Sequence, residues 1–242
     1  MLTIWQNLFY FVIFTPILIG ALLIAYKFND EKYRYLRFGI IIGIFLLTRI
    51  FLTIFNVGIF PSLVNDILFY VLAFTMGMVL VCIYAIKIEN KDLKQMFWWP
   101  EDKVKRIYSI LFGIGGAIVI LLIATGLMSI FGPPAINLET EIDGIIVAIF
   151  FGLGAIYEEI FFRSILQNTL TEDLQDENKA ILIQALLFTF IHLFYLPFDG
   201  YGILYLTIFL MALILGFLKS KQGLVASILA HGLFVFLASM LT

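Results

Sequence analysis

Six ionisable side chains lie inside stretches that are otherwise Ile, Leu, Phe, Ala and Gly: Arg49, Glu158, Glu159, Arg163, His192 and His231. Of 17 acidic residues only the Glu158–Glu159 pair is so placed, whereas both of the two histidines are. A charged side chain near the middle of a bilayer costs roughly 2.5–3.5 kcal/mol on insertion scales, so each needs a partner or a use. Burial raises a carboxyl's pKa, which suits a general base working near neutrality. The same groups at mid-membrane can relay protons.

Spacing sorts the charges. In "AIYEEIFFRS", residues 155–164, Arg163 follows Glu159 by four positions. On a helix that is about 40° away on the same face, with Glu before Arg, the favourable order. From Glu158 the same arginine is about 140° away. Glu159 and Arg163 are therefore expected to pair, which leaves His192 and His231 as candidate partners for Glu158. "FTFIH" sets Phe188 one turn from His192. A lone buried histidine or phenylalanine reads as packing; the common depth of these groups on three helices reads as a site.

The elements that position them are long apolar runs. Of 242 residues 62% are hydrophobic and 13% charged, against about half and a quarter in soluble domains. Runs near 20 residues, enough to cross about 30 Å of hydrocarbon at 1.5 Å per residue, fall at about 5–26, 38–60, 66–86, 107–131, 143–170, 180–196, 203–218 and 223–241. The expectation is an all-α, polytopic membrane protein, a single domain of eight transmembrane helices. Thirteen of the fifteen basic residues fall between spans one and two, three and four, five and six, or seven and eight. By the positive-inside rule those odd loops are cytoplasmic and both termini lie on the other side. The N-terminal "MLTIWQNLFYF" lacks a basic n-region and cleavage site and reads as the start of a permanent span.

Depth follows from that topology. Glu158 and His192 each lie about 12 residues from the cytoplasmic end of their spans, ~18 Å, and His231 about 8 residues, ~12 Å. Arg49 lies ~16 Å deep in the second span; it reads either as a structural or snorkelling arginine, or as a second contact in the site or to a substrate carboxylate. Cys82, the single cysteine, reads as a small buried hydrophobe. The third loop, with Trp98 and Trp99, reads as a segment at the headgroup level, with a docking surface as the alternative. A net charge of −2 gives no sign of nucleic-acid binding.

These residues resemble the motifs of the CAAX-protease and bacteriocin-processing family of intramembrane proteases, the Rce-type enzymes. The family's EExxxR is Glu158-Glu159-Ile-Phe-Phe-Arg163, its FxxxH is Phe188-Thr-Phe-Ile-His192, and its last histidine is His231. The resemblance spans about 107–242, with 1–106 the variable first three helices and loop. It implies an eight-helix bundle open to the cytoplasm, cleaving a peptide bond of a membrane-associated or lipid-modified substrate. It implies that Glu158 activates water, His192 orients it and His231 stabilises the oxyanion, with Glu159, Arg163 and Phe188 in support. The metal-free form of this chemistry is favoured; zinc, if bound, would sit on Glu158, His192 and His231. One position departs: four residues after His231, where the family has Asn or Asp, this chain has Val235. Ser227 and Ser239 on the same span are not obvious replacements. Val235 keeps a non-catalytic membrane scaffold as the alternative, with a proton-coupled transporter behind it.

Overall fold

The computed structural model describes residues 2–54, 67–92, 100–132, 144–192 and 202–241. Every regular element among them is helical. Helix α1 spans Leu2–Lys27, α2 Arg34–Ile54, α3 Ile67–Ile83 and α4 Lys103–Phe131. Then come α5, Gly144–Glu159, a π segment, Ile160–Leu166, and α6, Gln167–Leu174, which run on as one rod. The bundle ends with α7, Glu177–Phe190, α8, Ile203–Gln222, and α9, Leu224–Leu241. With the composite rod taken once, these are eight helices, in the places the apolar runs predicted.

Helices α4 and α8 are long and apolar enough to cross a membrane, and shorter apolar stretches occur at Thr15–Lys27, Phe74–Ile88 and Leu224–Met240. Helix α4 turns Leu111, Phe112, Ile118, Val119 and Leu122 outward, a surface that suits hydrocarbon rather than water. Two starts are capped as their sequences suggest. Asp102 accepts from Lys105 N at 2.9 Å, and Asp176 from Lys179 N at 3.1 Å. Between α8 and α9 the chain reverses in one residue, Gly223 at φ 92°, a conformation that side-chain-bearing residues rarely adopt.

Helix α9 packs chiefly on α4 and α5, and small residues set how closely. A Cβ at Gly113 of α4 would lie 2.8 Å from Leu229 Cβ and 3.0 Å from Ala226 O. Gly152 and Gly232 face each other reciprocally, each hypothetical Cβ 3.0 Å from the other's carbonyl oxygen. Such small-residue contacts are how helices approach closely where lipid removes the usual hydrophobic drive.

The opposite corner is held by polar bonds. Arg37, 1% exposed, donates from Nε and Nη2 to Glu89 at 2.8 and 3.2 Å, and from Nη1 to the carbonyls of Phe28 and Asp30 at 2.8 Å each. Tyr84 OH adds a 2.7 Å bond to Glu89 Oε1. One arginine thus ties the ends of α1, α2 and α3. The breaks read at 60–66, at 132–141 beyond Gly132 and at 197–202 before Gly202 lie outside the described residues, as do the Trp98–Trp99 stretch and the span ends 55–59 and 193–196.

Candidate functional site

The two glutamates sit where α5 gives way to the π segment, in which all seven residues are buried. A π turn widens the helix and is found disproportionately at functional sites. The sequence reading expected a regular helix from 143 to 170; periodicity carries no signal for a wider turn, and the rod continues to Leu174.

Glu159 and Arg163 are both fully buried, and Oε1 lies 2.9 Å from Nη1, as the four-residue spacing predicted. The same Oε1 accepts a 2.9 Å bond from His231 Nδ1. The four-residue spacing did not anticipate this second partner: α9 brings the Nδ1 of His231 to Glu159 as well. A carboxylate only accepts, so Nδ1 carries a proton. Ser227, one turn before His231, has its hydroxyl beside the same carboxylate and donates to Leu224 O at 2.9 Å.

His192 is anchored differently. Its Nδ1 lies 2.7 Å from the carbonyl of Phe188, which also can only accept. Nδ1–H is therefore fixed and Nε2 holds the lone pair. Phe188 is the hub of the site. Its ring centroid is 4.7 Å from that of His192 and 5.7 Å from that of His231. Arg163 Cζ lies 4.4 Å from the same centroid, a cation–π approach. Three helical rods thus bring the two histidines, Glu159 and Arg163 around one aromatic ring. Glu158 is 6% exposed, beside Glu159 at the end of α5.

Arg163 is unlike Arg37. It has the 2.9 Å ion-pair distance to Glu159, but neither Nε, Nη1 nor Nη2 makes an aligned hydrogen bond. Glu159 Oε2 is likewise unmatched. Arg49 lies on α2 with its side chain outside the described residues. Val235 lies one turn beyond His231, and Ser239 Oγ donates to its carbonyl at 2.8 Å, so Ser239 is committed to the backbone. Among the described residues no three His, Cys, Asp or Glu side chains are grouped to hold a metal ion.

Counting only ionisable groups missed three neutral ones. Gln167, Gln184 and Thr207 are all buried. Their signal was present: Gln167 stands four residues after Arg163 and eight after Glu159, and Gln184 interrupts "ILIQALLF".

No curated protein and no solved structure matches the chain. Residues 140–237 match the family described as type II CAAX prenyl endopeptidase Rce1-like. The matched segment holds Glu158, Glu159, Arg163, Phe188, His192, His231 and Val235, so this part of the chain is similar to that family.

Proposed function

We propose that the protein is a multi-pass intramembrane endopeptidase that hydrolyses a peptide bond in a membrane-associated or lipid-modified substrate. The observation that carries the reading is the gathering of both histidines and the Glu159–Arg163 pair around Phe188, one residue from Glu158. Glu158 takes a proton from water as the oxygen attacks the carbonyl carbon. The proton passes to the leaving amine as the C–N bond breaks. His192 offers the Nε2 lone pair to a water O–H, a role its Nδ1 bond to the Phe188 carbonyl makes available. His231, with both nitrogens protonated, directs Nε2–H to the oxyanion while Nδ1–H stays on Glu159. In this reading Arg163 holds Glu159, and Phe188 positions all three.

The basic ends of the bundle face the cytoplasm, with both termini opposite, by the charge segregation of the loops. Zinc on Glu158, His192 and His231 is the subordinate form of the mechanism. The test is cleavage of quenched membrane-anchored peptides by purified protein, with Glu158→Ala, His192→Ala and His231→Ala alongside. Each substitution is expected to abolish turnover, and chelation to leave it unchanged. Unchanged cleavage in all three variants removes the mechanism.

Val235 favours a second reading, a scaffold of the same fold that binds a partner without cleaving it. That reading predicts that Glu158→Gln preserves biological function. A proton-coupled transporter ranks third, since the chain shows no repeated halves.

A further inference from the structure

Seven buried side-chain atoms among the described residues lack a hydrogen-bond partner: Glu159 Oε2, Arg163 Nε, Nη1 and Nη2, Gln167 Oε1, Gln184 Oε1 and Thr207 Oγ1. All but Thr207 Oγ1 belong to one seam. Glu159, Arg163 and Gln167 follow at four-residue intervals along the composite rod, all 0% exposed. Gln167 Nε2 donates to Gly216 O at 3.1 Å, and Gln184 Nε2 to Ala212 O at 3.1 Å. The two amides meet over Gly216, where a Cβ would lie 2.8 Å from Gln184 Nε2 and 3.3 Å from Gln167 Oε1. Ile181 Cγ2 lies 3.0 Å from the same point, so α7 and α8 run antiparallel with 181 near 216 and 184 near 212.

The seam mixes guanidinium donors with carboxylate and amide acceptors. Leaving such atoms dry is costly, and a buried water typically satisfies about three of them. The chain does not treat buried arginines this way in general, for Arg37 has every nitrogen bonded. At its far end the seam reaches the surface. Gln167 Nε2 also bonds Ser220 Oγ at 3.0 Å, Ser220 bonds Glu177, and Glu177 pairs with the half-exposed Lys221 at 2.9 Å. Lys219 donates to Asn168 at the same mouth.

We infer that ordered water fills this seam between the π segment, α7 and α8, and that it supplies the hydrolytic site from the basic end of the bundle. The supply role rests on the protease reading; the hydration does not. A lipid-embedded hydrolase must bring its second substrate, water, through hydrocarbon. The unmatched atoms form a route for it from Glu177 to Glu159.

Hydroxyl-radical footprinting of the intact protein in lipid discs tests this, because radicals form wherever water is held. Phe188 and Leu215 flank the seam on α7 and α8; Phe161 and Leu80, 0% and 5% exposed, pack in the corner of α2 and α3. Phe188 and Leu215 are expected to oxidise several-fold faster than Phe161 and Leu80. Equal rates overturn the inference, and so does a fast Phe188 beside a slow Leu215, which confines water to the site. In Gln184→Leu, Leu215 oxidation should fall towards that of Leu80, with kcat reduced and KM unchanged. Normal kcat with that protection refutes the supply role. A wet seam in a wild-type protein that cleaves nothing refutes the protease reading and leaves the hydration standing.

Discussion

Gly232→Ala is expected to loosen the site without touching any residue in it. The new methyl would lie 3.0 Å from the carbonyl oxygen of Gly152, where ordinary contact begins at 3.4 Å, and that atom is backbone. Helices α5 and α9 must then separate by about 0.4 Å, the difference of those two distances. His231 is the residue before Gly232, and its 2.9 Å bond to Glu159 crosses the same interface. If the whole shift is transmitted, that bond lengthens to about 3.3 Å, past the usual limit for N–H···O. Overpacking costs about 1–3 kcal/mol, offset by the ~0.8–1.0 kcal/mol that alanine gains over glycine in a helix. Gly115→Ala is the control, since nothing lies within 4 Å of a Cβ there and only the gain applies. The two variants should differ by about 2 kcal/mol, or ~4–8 °C in Tm at this chain length. Thermal unfolding in detergent gives the first readout and kcat on a cleaved peptide the second. Equal Tm for the two variants, or wild-type kcat in Gly232→Ala, refutes the claim that this contact sets the His231–Glu159 distance.

Arg37→Met leaves two carbonyls unmatched and the buried Glu89 charge with only the Tyr84 hydroxyl, and should cost ~3–5 kcal/mol; turnover per folded molecule, away from the site, should not change. Val235→Asn adds a donor one turn from His231; since one oxyanion donor is worth about 10²-fold or more in kcat, a gain up to that size is expected, and none means the donor comes from elsewhere. The carboxyls of Asp102 and Asp176 are held below the ordinary range by the backbone N–H of Lys105 and of Lys179, respectively. Their contribution is complete above the unfolded pKa of about 3.9 and is lost as pH falls through the lower folded values. Asp176→Asn, which caps without titrating, should therefore show a shallower loss of Tm below about pH 4.

Helix number and placement were legible because a run of apolar side chains near 20 residues long has few other uses. The Glu159–Arg163 pair was legible for a similar reason: a four-residue spacing fixes neighbours on any helix. Common depth on three helices pointed Glu158, His192 and His231 to one site, and a four-residue spacing set Phe188 beside His192. Nothing in the spacing could say which glutamate His231 meets, because that depends on how far α9 slides along α5, and the Gly152–Gly232 contact sets it. The π segment was hidden since its extra residue per turn comes from tertiary packing, not propensity. Gln167, Gln184 and Thr207 were overlooked because a neutral side chain in an apolar run looks harmless until its partners are examined. Sequence determined which groups lie within the apolar helices, through local spacing and hydropathy. Only the packing of α7, α8 and α9 against the composite rod decided which of them touch and which polar atoms are left for water.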